Sequence, residues 1–274
     1  MRRLALCFLL WCVAGSVGAS ESLLLELDGG WQQGGIVRGK AVPGSEVRFN
    51  GKNIAIGPKG EFVVGLGRDA EPTATLAIRY QGQSWENVYD IARRDYRIQR
   101  IEGVPQKTVT PSQEQRERAR KEAEKVWLAR QTEREATDFM QAFKWPLIGP
   151  ITGVYGSQRV YNGEPRAPHY GVDIAAPTGT RVVAPAAGVV TLAEPDLFYS
   201  GGTLIIDHGH GLSSTFIHLS KLFVAVGDEV GQGDAIAEVG ATGRATGPHL
   251  DWRMNWLDER VDPTVLVGPM PSAQ

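Results

Sequence analysis

Over the first hundred residues, apolar and polar positions alternate in short runs broken by turn formers. Leu23–Leu27 stops at Gly29-Gly30, Gly34–Gly39 leads to Pro43-Gly44, and Ser45–Phe49 alternates up to Asn50-Gly51. Glu61–Val64 and Thr73–Tyr80 repeat the pattern. A period of two places successive side chains on opposite faces, and Asn-Gly between two such runs marks a hairpin. Residues 20–100 therefore predict a small N-terminal β-sandwich-like domain. From Gln113 to about Phe143 the pattern becomes helical and highly charged, with Thr110 as N-cap and Pro111 at the first helical position. Its apolar stripe is thin at Ala119, Ala123, Val126 and Trp127, and resumes at Ala136, Phe139, Met140 and Phe143. The first half should be solvated and the second should dock, so residues 101–144 read as a linker and charged connecting helix rather than an arm over an active site.

From Trp145 the chain turns strand-dense and Gly/Pro-punctuated. Val182–Ala184, Gly188–Leu192, Thr203–Asp207, Ser214–His218, Ala235–Val239 and His249–Met254 are six candidate strands of a C-terminal domain spanning 145–270. The fold class is thus mostly β, consistent with 33 glycines in 274 residues.

The N-terminus has the form of a secretory signal. Arg2 and Arg3 precede the apolar run Leu4–Val13, which is short for a bilayer span, and Val17-Gly18-Ala19 offers small residues for cleavage after residue 19. This predicts a periplasmic or secreted protein with no stable membrane span after cleavage. Both cysteines, Cys7 and Cys12, fall inside that signal, so the expected mature chain has no disulfide and no cysteine chemistry. Losing Arg2 and Arg3 reduces the 29 basic residues to 27 against 31 acidic ones, a balance that argues against general nucleic-acid binding.

All five histidines, His169, His208, His210, His218 and His249, lie in the C-terminal domain. On a strand beginning at His249, Asp251 and Arg253 share its face, while Leu250, Trp252 and Met254 face the other way, into a core. His218 ends a strand on the face of Phe216 and Ser214. His169 and Asp173 share a face in either extended or helical geometry. A set of two His and two Asp can therefore converge: His169, Asp173, Asp251 and either His249 or His218. Nitrogen and carboxylate donors without thiolates suit zinc, and a catalytic zinc needs three protein ligands and an open position. Arg253 offers Asp251 an ion pair as the alternative to ligation. His208 and His210 read as turn residues outside the site.

These pieces carry a resemblance. His169–Thr180, Val183–Val190, Ile206–Leu212, Ile217–Ser220 and Thr242–Leu250, preceded by Trp145-Pro146 and Gly149–Thr152, resemble the lysostaphin/LytM-type zinc metallopeptidases of family M23. The resemblance implies an antiparallel β fold with a groove, a Zn2+ cofactor, and endopeptidase cleavage of peptidoglycan, with cell-wall or division proteins as partners. It implies His169 and Asp173 as the first two zinc ligands and His218 and His249 as catalytic residues. The family's third ligand is the second His of a His-x-His motif, and Asp251 stands there in this chain. A carboxylate also binds zinc, but it adds negative charge and makes the metal a poorer Lewis acid. That departure leaves a second reading, a non-catalytic relative that regulates or scaffolds another cell-wall hydrolase.

Overall fold

The computed structural model describes residues 22–101, 112–132, 134–161 and 163–271. The signal segment 1–19 and the helix start expected at Thr110-Pro111 lie outside them.

Seven strands form the N-terminal unit. Leu24–Gly29, Ile36–Ala41 and Glu61–Gly65 make one sheet, and Lys52–Ile54, Glu46–Phe49, Thr73–Tyr80 and Gln83–Asp90 make the other, in those orders. In Thr73–Tyr80 the alternation is complete: Ala74, Leu76 and Ile78 are buried while Thr73 and Arg79 are exposed. The Asn50-Gly51 turn has positive φ at both residues, 47° and 77°, as a two-residue hairpin requires. Gln83–Asp90 was not legible as a strand because only Trp85 and Tyr89 are even half-buried.

The C-terminal unit is one ten-stranded sheet. Its main path runs Glu229–Val230, Gly188–Leu197, Gly201–Asp207, Leu212–Leu222, His249–Trp256, Gly171–Ala175, Ile151–Gly153, every pair antiparallel. All six candidate strands are present. Leu250, Trp252 and Met254 are fully buried, so the His249–Trp256 strand is fastened to the core by every second residue. The two units share a continuous apolar core, in which the Phe49 and Trp256 rings meet edge-on at 5.8 Å.

A second connection has no counterpart in the sequence reading. Ile98–Ile101, at the end of the N-terminal unit, pairs in parallel with Gln158–Tyr161, which pairs in turn with Glu164–Pro165. The end of the segment assigned to the N-terminal β-sandwich is therefore a strand of a three-stranded sheet beside the C-terminal unit.

The helix is shorter than expected. It spans Gln113–Leu128, capped by Ser112 in a capping box with Gln115, and does not continue to Phe143. Beyond it lies a single 3-10 turn, Asp138–Met140. Phe139 and Phe143 pack against His210 and His208 instead, and a chain that must deliver both rings to that core cannot continue along the helix axis. The helix lies against the Gly188–Leu197 strand through Arg118–Asp196 and Lys125–Glu194 ion pairs, with Val126 packed near Leu192, Leu197 and Ile205. No described helix is long and apolar enough to cross a membrane.

Candidate metal centre and its groove

His169 enters the site just before the Gly171–Ala175 strand, with Asp173 in its middle. Asp173 pairs directly with Asp251 on the neighbouring His249–Trp256 strand, so register alone sets the two carboxylates side by side. His169 Nε2 lies 3.1 Å from Asp173 Oδ1 and 3.4 Å from Asp251 Oδ2. One donor atom from each residue falls within 4.8 Å of the other two.

Two glycines make this closeness feasible. A Cβ at Gly153, on the far side of Asp173, would meet Asp173 Oδ2 at 2.1 Å. A Cβ at Gly171 would meet Asp251 Oδ1 at 2.5 Å. Any side chain at either position would displace a carboxylate.

The charges in the cluster are strongly coupled. Burial works against a charged His169, but the neighbouring carboxylates of Asp173 and Asp251 outweigh it and push its pKa up to about 10. Burial would raise Asp251, but Arg253 and His169 hold it well below the usual carboxylate range. Arg253 is bonded to both Asp251 oxygens, with Nε at 3.0 and 3.1 Å and Nη2 at 2.5 Å from Oδ2.

The donor set fits a divalent cation. His169 Nε2 and Asp173 Oδ1 are buried atoms with no hydrogen-bond partner of proper geometry, and both belong to the three-residue cluster. His169 Nδ1 lies 3.3 Å from the Val154 carbonyl, which as acceptor holds the Nδ1 proton, so Nε2 is the nitrogen that can offer its electron pair when a cation displaces its proton. The Arg253 pair does not exclude ligation, since a carboxylate has about four lone-pair sites. It also changes the charge balance. One His, two Asp and one Arg carry the same formal charge as two His and one Asp, so Arg253 offsets the extra carboxylate that Asp251 brings.

His218 and His249 stand beside the cluster, their rings 4.8 Å apart. His249 Nε2 is 3.9 Å from Asp173 Oδ1. His249 reaches the site by plain strand alternation, but His218 does not. Phe216, two residues earlier, pairs with Trp252 in the core, and regular alternation would bury His218 with it. The Leu212–Leu222 strand carries one extra residue relative to its neighbour between the pairs Leu204↔Phe216 and Gly202↔Leu219. This bulge coincides with a φ of 67° at His218 and brings its ring to the groove side. The expectation that His218 shares a face with Phe216 and Ser214 is thereby corrected.

Each of these histidines uses Nδ1 on a backbone carbonyl: His218 on Thr242 at 2.9 Å, His249 on Gly247 at 2.8 Å. Nε2 is left for the groove in both. Burial is the main cause of a lowered His218 pKa, and the Thr242 carbonyl opposes it. His208 is built differently: Nδ1 meets Ala187 O at 2.7 Å and Nε2 meets Ser214 Oγ at 2.9 Å. Its ring is fully buried, and its pKa is lowered to about 4 by that burial. Neither His208 nor His210 lines the groove.

The groove has a volume of about 1010 Å³, and all five candidate residues line it. Sequence reasoning missed the arginines in the same lining, Arg97, Arg159, Arg166 and Arg244. Arg97 arrives through the parallel strand pairing, which local sequence pattern does not reveal. No residue of the Gln113–Leu128 helix lines the groove.

An antiparallel sheet with a His/Asp cluster on the floor of an open groove defines a candidate hydrolytic metal centre. Residues 167–263 match the model of peptidase family M23. A segment of 88 residues is 41 % identical to the peptidoglycan DD-endopeptidase ShyA of Vibrio cholerae, covering 32 % of this chain and 20 % of that protein. A segment of 103 residues is 40 % identical to the DD-carboxypeptidase/endopeptidase Mpg of Neisseria meningitidis, covering 38 % of this chain and 24 % of that protein. The chain thus spans a fifth to a quarter of the length of these curated relatives. A crystal structure from Pseudomonas aeruginosa, assigned to peptidase M23, aligns over 86 % of this chain and 95 % of its own with a TM-score of 0.67 and 29 % identity. The similarity to peptidase family M23 thus lies in the C-terminal domain, over residues 167–263.

Proposed function

We propose that this protein is a zinc-dependent endopeptidase that hydrolyses peptide bonds of peptidoglycan outside the cytoplasm. The observation that carries the reading is the convergence of His169, Asp173 and Asp251, with His218 and His249 beside them on one groove. The relatives named for peptidoglycan DD-endopeptidase activity support the substrate class.

His169, Asp173 and Asp251 would hold the zinc ion. The chemistry zinc supplies at such a site is Lewis acidity, which activates water and polarises a scissile carbonyl. Arg253 keeps Asp251 ionised and fixes the direction of its carboxylate. The Thr242 and Gly247 carbonyls accept from Nδ1 of His218 and His249, so each Nε2 presents a lone pair to the groove when neutral and a proton when charged. The lowered pKa keeps His218 neutral near pH 7 and suits it to accept a proton. His249, whose Nε2 is 3.9 Å from Asp173 Oδ1, would work with the attacking water. The positive φ at His218 holds its ring at the groove, where a regular strand would have hidden it.

Arg253 also favours a second reading. It occupies both Asp251 oxygens, as a residue would if it had replaced the metal with an ion pair in a non-catalytic relative. Incubating the full chain with zinc and purified peptidoglycan separates the two. Release of new peptide termini, abolished by chelation and restored by zinc, is the expected result. A chain that binds no zinc and releases nothing would be the scaffold instead.

A further inference from the structure

The floor of the groove is acidic, but its wall is not. Arg97 immediately precedes the Ile98–Ile101 strand and lines the groove with Gln99, which pairs directly with Arg159 in the parallel sheet. The next strand continues the register: Val160 pairs with Pro165, and the Arg166 amide donates to the Arg159 carbonyl at 2.9 Å. Arg159 on the middle strand, Arg97 just before one neighbouring strand and Arg166 just after the other thus stand side by side in the groove lining. Like charges on neighbouring strands of one face destabilise a sheet unless something neutralises them.

Among the described residues, the groove lining supplies no such neutralisation to Arg97 or Arg159. Asp173 and Asp251 are the only carboxylates among the lining residues, and both belong to the metal cluster. Among the described residues neither Arg97 nor Arg159 has an ion-pair partner. Asp95 and Glu164, the acidic residues nearest along these segments, are exposed and lie outside the lining. A depression of about 700 Å³ adjoins the other side of His218, and it contributes Arg244 and Arg260 with no carboxylate at all. Arg244 stands over the Tyr199 ring, 5.2 Å from its centroid.

We propose that the groove selects a peptide bearing free carboxylates, and that Arg97 and Arg159, supported by Arg166, form the subsite for one of them. The inference rests on the reading of the groove as a peptide site and names what that peptide must carry. Arginine suits the role because its planar fork engages a carboxylate through two parallel hydrogen bonds. A general polyanion site is disfavoured by the formal charge of −2 on the whole chain. The subsite is also composite, since Arg97 comes from the segment that ends the N-terminal unit. That unit then acts as part of the binding wall.

The test uses a fluorescent synthetic cross-linked stem peptide with free carboxylates and the same peptide with its carboxylates amidated. Binding to the full chain is read by anisotropy with chelator present, and cleavage is read separately with zinc. The acidic peptide should bind about tenfold more tightly than the amidated one. Arg97→Gln with Arg159→Gln together should erase that difference and raise KM with little change in kcat, while Arg159→Lys should restore part of it. Equal binding of the two peptides, no effect of the double variant, or equal displacement by an oligothymidylate would overturn the proposal. Discrimination without cleavage would support the subsite and refute the peptidase reading. Cleavage without discrimination would do the reverse.

Discussion

His208 and His249 flank strands of the same sheet, one just past the end of Gly201–Asp207 and the other at the start of His249–Trp256, yet they are built for opposite purposes. His208 spends both nitrogens on the protein, on Ala187 and Ser214, and is sealed beneath Phe143. His249 spends one nitrogen on Gly247 and turns the other toward Asp173 and the groove. His218 follows the second plan through a different route, a bulge in place of plain alternation. A histidine becomes available for chemistry when one nitrogen is anchored and the other is left without a protein partner. One fully satisfied on both sides is a core residue with a pH liability.

The strongest way to break this contrast is to exchange the outcomes. Removing the open imidazole in His249→Ala or His218→Ala should lower turnover by roughly 10²- to 10⁴-fold while zinc content is unchanged. Peptide release by chromatography and zinc by elemental analysis measure the two quantities on the same sample. Turnover within a few-fold of the parent would show that the groove histidines are structural too.

The sealed histidine should show itself in stability rather than rate. Its folded pKa, about 4, lies below the ordinary value of 6.5, so the unfolded chain binds its proton first as pH falls. Stability present above pH 6.5 is therefore lost on descending toward pH 4, by on the order of 3 kcal/mol from this group alone. Asp138 and Arg134 act on the same ring from its surroundings, in opposite directions. Urea unfolding at pH 7 and pH 4.5 should show a smaller loss in His208→Gln than in the parent. Equal losses would remove His208 as the cause.

A smaller effect sharpens the role of the Asp251 pair. Arg253→Gln keeps a hydrogen-bond donor but removes the charge that offsets the second carboxylate. Zinc affinity in a competition titration with a chelating dye should change by about 10- to 100-fold, the range typical of residues that orient a metal ligand. An unchanged affinity would mean that Arg253 neither orients nor balances Asp251.

Much of the C-terminal unit was legible because period-two alternation and glycine turns are local. Leu250, Trp252 and Met254 announced the core face of their strand, and with it the outward face of His249 and Asp251. His169 and Asp173 were legible from spacing and composition. The bulge at His218 was not, since a one-residue insertion leaves no mark on residue types. The helix was overextended because Phe139 and Phe143 continue a helical spacing that only the tertiary core overrides. The arginine row escaped because parallel pairing between Ile98–Ile101 and Gln158–Tyr161 joins residues some sixty positions apart. Likewise, sequence could offer Asp251 two partners, His169 and Arg253, but only the folded structure brings it to both at once.

The central claim, a metal centre completed by Asp251, is tested most directly by zinc stoichiometry. The full chain and its Asp251→Ala variant are equilibrated with zinc, passed through a desalting column and measured by elemental analysis. About one zinc per parent chain is expected, with a large loss in the variant, as one ligand of three is removed. A parent chain without zinc, or a variant that retains it fully, would contradict the claim.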